Sequence, residues 1–191
     1  MKRIGLLGGT FDPPHIGHLL MAEEARLSMN LDEVWWLPNR IPPHKEKRTN
    51  TSGQDRLDMV QAMTKLEGDF KLCDIELEMD GPSFTINTIK VLTAKFPDYK
   101  FFFIIGADSL LTLDSWHESE RLKSLAKFIV IQRPGFEIAA EHLSESIIMV
   151  EGAVIDVSST VIRKAISAKR LNQFLLTKNV NGIIKERRLY E

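Results

Sequence analysis

Two histidines three residues apart, in a glycine-rich turn, are the feature of this sequence that most clearly suggests chemistry. His15 and His18 lie in the last four positions of residues 8–18, which read Gly-Gly-Thr-Phe-Asp-Pro-Pro-His-Ile-Gly-His. A helix that begins inside this stretch would place both imidazoles on its first turn, near the positive end of the helix dipole. Gly8 and Gly9 would let the backbone approach a phosphate closely. The pattern predicts a cradle for a polyphosphate.

The other residues of this turn fit the same interpretation. Thr10 offers a hydroxyl, Phe11 can plug the turn into the core, and Gly17 leaves out a side chain where a nucleotide would lie. A metal site is the alternative, but the two histidines have no clear third ligand, so we expect no protein-bound metal. The Gly-x-Gly-x-x-Gly fingerprint and the Walker phosphate loop are both absent from the sequence.

A second candidate phosphate site lies near the end of the chain. Residues 158–163 read Ser-Ser-Thr-Val-Ile-Arg. Serines in this position are most simply the cap of a helix. A helix that begins here would also offer hydroxyl and amide groups to phosphates, with Arg163 one turn further adding a positive charge.

A third candidate follows residues 100–105, a continuous apolar run that predicts a buried strand. Gly106 and Asp108 come directly after it, and Trp116 and His117 follow. Trp116 offers a large flat face for stacking. The alternative for Trp116 is an ordinary half-buried core residue.

Residues 8–18 resemble the signature of the HxGH nucleotidyltransferase superfamily, and residues 158–163 resemble its Ser-Ser-Thr-x-x-Arg motif. Class I aminoacyl-tRNA synthetases share the His-x-Gly-His element, but they are far longer and need a lysine-rich signature that this sequence lacks. The resemblance implies that His15, His18 and Arg163 are catalytic. It implies that the residues binding ATP are Gly8, Gly9, Thr10, Phe11, Gly17, Gly106, Asp108, Ser158, Ser159 and Thr160.

Within that superfamily, the segment from Gly106 to His117 resembles the branch of nicotinate or nicotinamide mononucleotide adenylyltransferases. That branch stacks an aromatic ring on the pyridine and holds the ring substituent with the segment that corresponds to residues 82–85. The implied substrate-binding residues are Asn39, Lys45, Ser83, Thr85, Trp116 and His117. Lys45 lies in a charged run, residues 44–48, whose simpler interpretation is a solvated surface.

The resemblance implies a reaction of ATP with nicotinate mononucleotide that gives nicotinate adenine dinucleotide and pyrophosphate. Magnesium would be bound through the ATP phosphates. The alternatives are a related transfer to nicotinamide mononucleotide or phosphopantetheine, a cytidylyltransferase, and a regulator that binds ATP without turnover.

The elements that must position these residues alternate between strands and helices, which predicts an α/β fold. We expect a Rossmann-like, doubly wound, mostly parallel sheet with helices on both faces, in one domain (1–191) with a small helical C-terminal part (158–191). Predicted strands are 3–7, 33–37, 70–77, 100–105 and 128–131, with a short pair at 147–150 and 154–156. Predicted helices are 16–29, 55–66 capped by Ser52, 85–96, 118–125, one after Ser159, and two short ones beyond it. Ligands of such sheets bind past the strand ends where the strand order reverses, so the turns after residues 7 and 105 are the expected site.

Composition limits the remaining classes of function. The chain has 191 residues, a formal net charge of −1 and a single cysteine, Cys73. A near-neutral balance argues against nucleic acid as a partner, and one cysteine excludes an internal disulfide. No signal peptide or membrane-spanning run is recognisable, so we expect a cytoplasmic protein with small-molecule substrates. A homo-oligomer is compatible with this composition.

Overall fold

The computed structural model describes residues 1–41, 51–132, 144–153 and 155–191. Within these ranges the strands are β1 (Lys2–Gly9), β2 (Glu33–Pro38), β3 (Phe70–Leu72), β4 (Tyr99–Gly106), β5 (Lys127–Ile131) and β6 (Ile147–Val150). The α-helices are α1 (Ile16–Ser28), α2 (Gly53–Thr64), α3 (Ile75–Glu78), α4 (Thr85–Lys95), α5 (Ala107–Leu110), α6 (Ser119–Leu125), α7 (Ser159–Ser167) and α8 (Lys178–Glu186). Short 3₁₀ turns lie at Leu113–Ser115 and Gln173–Leu175. Every helix described in these ranges is too short or too polar to cross a bilayer.

The strands form one sheet in the order β3-β2-β1-β4-β5-β6, and each neighbouring pair is parallel. The predicted doubly wound α/β fold is therefore confirmed. The strand order reverses between β1 and β4, where Leu7 pairs with Ile104 while Gly9 pairs with Pro38 on the other side. The carboxyl ends of β1, β2 and β4 consequently meet at one edge, which is where such folds bind their ligands.

Side chains on the central strands alternate between two cores, one on each face of the sheet. Leu7, Phe102 and Ile104 point to the face that carries α1, α2, α7 and α8. Leu6 and Phe103 point to the other face, which carries α3, α4, α5 and α6. Burial on both faces explains why these strands are continuous apolar runs rather than alternating ones.

The predicted strand 70–77 is wrong in its second half. Strand β3 ends at Leu72, because it pairs with only three residues of β2 at the edge of the sheet. The chain then turns into α3, which buries Ile75 and Glu76. Glu76 is held there by hydrogen bonds from other elements, and these contacts between distant residues outweigh the local preference for a strand.

The predicted strand pair around residues 151–152 is also wrong. Strand β6 pairs in parallel with β5 rather than with the residues that follow it. No described residue between 151 and 158 lies in a strand, and Val154 lies outside the described residues. The backbone N–H of Ala153 instead donates to the Glu24 carboxylate at 3.0 Å, which directs the chain over α1 toward α7.

The predicted Ser52 cap of α2 is confirmed, although the helix covers Gly53–Thr64 rather than 55–66. The Ser52 side chain accepts from the Asp55 backbone N–H, and the Asp55 carboxylate accepts from the Ser52 backbone N–H in return. Among its apolar side chains, Met59, Val60 and Met63 are buried and Leu57 is half-buried.

The C-terminal segment is fastened to the body of the molecule at two points. The Arg187 guanidinium lies 2.7 Å from carboxylate oxygens of both Asp55 and Asp58 on α2. The Tyr190 hydroxyl donates to Oδ1 of the buried Asp12 at 2.6 Å, across 178 residues of sequence. Burial raises the pKa of Tyr190, and the hydrogen bond to Asp12 acts in the same direction, so the hydroxyl remains a donor.

We expect Tyr190→Phe to lower the free energy of unfolding by about 1–3 kcal/mol, because the buried Asp12 carboxylate loses a donor that water cannot easily replace. Urea unfolding followed by circular dichroism measures the change. Tyr99→Phe is the matched control, since the Tyr99 ring stacks on Phe96 and its hydroxyl forms no hydrogen bond with the described residues. Equal stability losses in the two variants would show that the contact with Asp12 contributes nothing specific.

Candidate active site

A cavity of about 1060 Å³ opens at the carboxyl edge of β1 and β4. This volume is at the upper end of the range for small-molecule sites, so the cavity has room for more than one ligand. All the sequence-predicted site residues that the structure describes line it, namely Gly8, Gly9, Thr10, Phe11, His15, Gly17, His18, Asn39, Ser83, Thr85, Gly106, Asp108, Trp116, His117, Ser158, Ser159, Thr160 and Arg163. Lys45 lies outside the described residues.

The turn after β1 uses its two glycines differently. A Cβ placed on Gly8 would meet no atom within 4 Å, so the backbone there borders open space. A Cβ on Gly9 would lie 3.1 Å from the ring of Phe11, which is 1% exposed and has a positive φ of 50°. Phe11 thus plugs the turn into the core as predicted, and contact with a nucleotide would have to come from its backbone.

The two histidines interact directly at the start of α1. His18 lies on the first turn of α1 as predicted, whereas His15 is the N-cap that comes directly before this turn. The backbone N–H of His15 donates to Nδ1 of His18 at 3.1 Å. Their ring centroids lie 3.8 Å apart. Because Nδ1 of His18 accepts a hydrogen bond, the proton of the neutral ring belongs on Nε2, which makes that atom a donor.

Gly17 lies close to other protein atoms on the side where a Cβ would stand. A Cβ there would lie 2.9 Å from Cγ1 of Val157 and 3.0 Å from Nδ1 of His15. The missing side chain therefore admits the segment before α7 and the His15 ring, and Gly17 also lines the cavity. The expected place of Gly17 beside a nucleotide stays a prediction.

The two motifs are joined by hydrogen bonds. The Ser159 hydroxyl donates to the Pro13 carbonyl at 2.9 Å, and the Arg163 guanidinium donates to the Asp12 carbonyl at 2.7 Å. Arg163 also donates to Oγ1 of Thr160 at 3.2 Å, which orients it along the first turn of α7. Two segments about 150 residues apart in sequence thus form one wall of the cavity.

Ser158 caps α7 by accepting from the backbone N–H of Val161 at 3.3 Å, so the simpler interpretation of this serine is correct as far as it goes. The N-termini of α1 and α7 both open into the cavity. A helix N-terminus carries partial positive charge and unpaired N–H groups, so two of them make this half of the cavity suited to an anion.

Arg56 is a residue of the site that the sequence interpretation missed. It is buried on α2, and its Nη1 donates to the carbonyls of Thr10 at 3.0 Å and Asn39 at 2.7 Å. Burial lowers the pKa of its guanidinium, and the nearby Asp12 carboxylate opposes that shift. A signal was present, because Arg56 precedes Met59 by three residues and so shares the inward face of α2.

The opposite half of the cavity is lined by rings. Trp116 is half-buried and packs edge-on against Phe128 at 6.3 Å, as expected for a half-buried core residue. It also borders the cavity, so stacking on a ligand stays a prediction. His117 stacks on Phe84 with centroids 4.3 Å apart. Flat, half-exposed rings in a concave site suit a planar ligand.

Ser83 and Asn39 are held by protein contacts at this end of the cavity. The Ser83 hydroxyl accepts from the Arg40 backbone N–H at 3.0 Å and hydrogen bonds with Glu76, while the Ser83 backbone N–H donates to the Ile41 carbonyl. The side-chain amide of Asn39 also donates to Glu76. Glu76 is a second residue that the sequence interpretation missed, because it was assigned to a strand.

Gly106 ends β4 and Asp108 lies in the short helix α5 that follows, on the far side of the strand-order reversal from β2. Oδ1 of Asp108 lies 2.7 Å from the position of a Cβ on Gly106, so the glycine lets this carboxylate fold back beside the strand end. Among the described residues, no cluster of three or more histidine, cysteine or carboxylate side chains could hold a metal ion.

Comparison with known proteins agrees with this arrangement. A family model described as Cytidylyltransferase-like matches residues 6–165. A “Probable nicotinate-nucleotide adenylyltransferase” of Bacillus licheniformis is 40% identical over 191 residues and covers 100% of both chains. A protein of the same name from Halalkalibacterium halodurans is 46% identical over 192 residues, which covers 100% of this chain and 92% of that one.

Solved structures share the fold. The nicotinic acid mononucleotide adenylyltransferase of Plasmodium falciparum, complexed with NaAD, superposes with a TM-score of 0.86 at 22% identity, covering 100% of this chain and 98% of that one. The same protein complexed with APC gives a TM-score of 0.83 at 21% identity, with the same coverage. From its full-length relatives and the matching family model, this chain belongs to the nicotinate-nucleotide adenylyltransferase family of cytidylyltransferase-like proteins.

Proposed function

We propose that this protein transfers AMP from ATP to nicotinate mononucleotide, giving nicotinate adenine dinucleotide and pyrophosphate. The observation that carries the proposal is the division of one cavity into two halves. The half beside α1 and α7 offers helix N-termini, two imidazoles and a guanidinium, and the other half offers half-exposed rings and the start of α4. Full-length relatives that are 40% and 46% identical bear the name of this activity.

The chemistry needs no general base. The attacking group is a phosphate oxygen of the mononucleotide, which is already ionised near neutral pH. It forms a bond to the α-phosphorus of ATP while the bond from that phosphorus to the bridging oxygen breaks and pyrophosphate leaves. Catalysis then consists of aligning the two phosphates and stabilising negative charge.

The residues divide between these tasks. Nε2–H of His18 and the His15 ring donate to the α-phosphate region, where charge increases in the transition state. Ser158, Thr160 and Arg163 hold the departing pyrophosphate. The Asp12 carbonyl restrains Arg163, so that its charge is already placed when ATP binds.

The remaining nucleotide contacts follow from the strand ends. The backbone of residues 8–11 accommodates ATP phosphates, with Gly8 giving the closest approach because no atom lies near its missing side chain. Gly106 and Asp108 border the nucleotides from β4. Trp116 stacks on the pyridine ring, His117 flanks it, and Asn39 and Lys45 contact the mononucleotide.

Magnesium enters this proposal as a partner of ATP. The described residues lining the cavity supply donors and positive charge rather than a cage of carboxylates, which fits an ion held mainly by phosphate oxygens and water. When bound, magnesium would neutralise charge on the triphosphate. We place the reaction in the cytoplasm with small-molecule substrates.

The test of the function is pyrophosphate release from a panel of phosphorylated substrates, each with each nucleoside triphosphate. We expect the pair of ATP and nicotinate mononucleotide to give the highest kcat/KM, with the dinucleotide identified by mass. The best turnover on phosphopantetheine, or with CTP, would contradict the assigned substrates. Binding of ATP without turnover on any substrate would contradict catalysis itself.

We expect His18→Ala to lower kcat by about 100- to 1000-fold, as for the loss of one donor that stabilises charge in the transition state. His15→Ala should act in the same direction. Steady-state kinetics measures the effect, and thermal unfolding checks that each variant folds. A folded His18→Ala protein with near-normal kcat would remove this histidine from the mechanism.

Trp116→Ala should raise the KM for nicotinate mononucleotide and leave the KM for ATP nearly unchanged, because stacking acts equally in the ground and transition states. Trp35→Ala is the matched control, since Trp35 packs against Phe96 and Phe101 and does not line the cavity. Parallel increases in both KM values for Trp116→Ala would place this residue outside the pyridine pocket.

We expect the protein to prefer nicotinate over nicotinamide mononucleotide by at least about tenfold in kcat/KM. Thr85 and Ile86 open α4, and their N–H groups have no acceptor within the helix, so they are suited to a carboxylate on the pyridine ring. A neutral carboxamide gains less from that field, and its own amino group would face donors. The measurement is kcat/KM for the two mononucleotides under one set of conditions. A ratio near one, or one that favours the amide, would contradict this view of the pocket while leaving adenylyl transfer intact.

A further inference from the structure

Glu76 is a buried carboxylic acid at the ring end of the cavity for which the proposed chemistry has no use. Its side chain lines the cavity, yet the residue is only 4% exposed. Buried carboxylates are costly unless their oxygens are hydrogen-bonded. The hydrogen-bond partners of Glu76 therefore indicate what its carboxylate does in this position.

Three donors from three different segments meet at Glu76. The Asn39 side-chain amide donates to Oε2 at 3.0 Å from the end of β2. The Thr88 hydroxyl donates to Oε1 at 2.7 Å from the first turns of α4. The Ser83 hydroxyl is the third partner, in the turn that leads into α4.

The protonation chemistry of this cluster is consistent with an acceptor at its centre. Burial raises the pKa of Glu76, and the hydrogen bonds from Thr88, Asn39 and Ser83 oppose that shift. Asn39 offers an amide N–H₂ group and the other two offer hydroxyl hydrogens, so an ionised carboxylate satisfies all three. The Ser83 oxygen meanwhile accepts from the Arg40 backbone N–H, which leaves its own hydrogen available to Glu76.

This arrangement changes the part that Ser83 can take in binding. Its hydroxyl hydrogen is used by Glu76, and its backbone N–H is used by the Ile41 carbonyl. Ser83 is therefore poorly placed to donate to a ligand carboxylate, and the first N–H groups of α4 are better suited. Glu76 fixes where those groups lie, because it anchors both the turn before α4 and Thr88 within it.

We propose that Glu76 is a positioning residue for the mononucleotide half of the site, holding Asn39 and the start of α4 in the arrangement that binds the pyridine nucleotide. It lies on the opposite face of the sheet from α1 and α7, whose N-termini form the polyphosphate half. Loss of the Glu76 carboxylate should therefore weaken the binding of the mononucleotide and leave the binding of ATP unchanged. The proposal rests on the proposed function, because that function assigns the ring end of the cavity to the mononucleotide.

The experiment measures the Kd of nicotinate mononucleotide and of a non-hydrolysable ATP analogue separately, by isothermal titration, in Glu76→Ala and Glu76→Gln. We expect Glu76→Ala to weaken mononucleotide binding by about tenfold or more, since one half-buried donor and two buried donors lose their acceptor. Glu76→Gln should fall between this and the wild type, because its amide group replaces one acceptor oxygen with a donor. Binding of the ATP analogue should stay within about twofold in both variants.

Glu78→Gln is the matched control, since it removes the same charge from an exposed residue of the same short helix. It should leave both Kd values unchanged. Circular dichroism establishes which variants fold, and if Glu76→Ala does not, the ratio of the two Kd values in Glu76→Gln decides.

A purely structural role for Glu76 predicts a different outcome. Stability would fall while the folded fraction bound both ligands normally, or both ligands would weaken in parallel, and either result would overturn the proposal. Failure of the wild-type chain to bind nicotinate mononucleotide would contradict the proposed function, and with it the assignment of Glu76 to that half. Normal wild-type binding with an unchanged Kd in the folded variants would overturn the role of Glu76 alone.

Discussion

Strand β1 pairs in parallel with β2 on one side and with β4 on the other, and this pairing decides where the site can form. It places the ends of three strands at one edge of the sheet, with Leu7 beside Ile104 and Gly9 beside Pro38. A shift of one residue in β1 would turn Leu7 and Leu6 to the wrong cores, so burial on both faces fixes this register strongly. The turn after β1 therefore lies at this edge of the sheet, where the buried Phe11 side chain holds it.

Asp12 extends that constraint to parts of the chain that are distant in sequence. Its carbonyl accepts from Arg163 on α7, and its carboxylate accepts from Tyr190 near the C-terminus. Arg56 reaches the neighbouring Thr10 carbonyl from α2. These contacts tie the turn to α2, to α7 and to the segment after α8, so the groups proposed to bind phosphate are oriented by the protein rather than by the ligand. Orientation before binding is what charge stabilisation in a nucleotidyl transfer requires.

The groups proposed to bind phosphate and those proposed to bind the pyridine ring lie on opposite faces of the sheet. In the proposed mechanism, groups on α1 and α7 supply positive potential and hydrogen-bond donors for phosphates, and groups around α4 and the Trp116 segment form the pocket for the pyridine ring. The reversal of strand order between β1 and β4 is what brings the two sets together, since consecutive crossovers there lie on opposite faces. One cavity can then hold both substrates with their phosphates near the strand ends.

Much of this was predictable from sequence, because the relevant signals are local. Continuous apolar runs identified β1 and β4, and Ser52 and Ser158 marked helix starts that the structure contains. Glu76 and Arg56 were missed because their places depend on partners far away in the chain, which make a buried charge tolerable. The close packing of Gly17 against Val157 was not predicted either, since Val157 is 140 positions away and no local pattern reveals that contact.

We expect the two substrates to react directly with each other in this cavity, without a covalent intermediate on the protein. The most direct test uses a single diastereomer of ATP that carries sulfur on the α-phosphate and determines the configuration at phosphorus in the dinucleotide product. One in-line displacement aligned by His15, His18 and Arg163 predicts inversion. Retention would require two successive displacements, and therefore an adenylylated protein, which would contradict this account of the site.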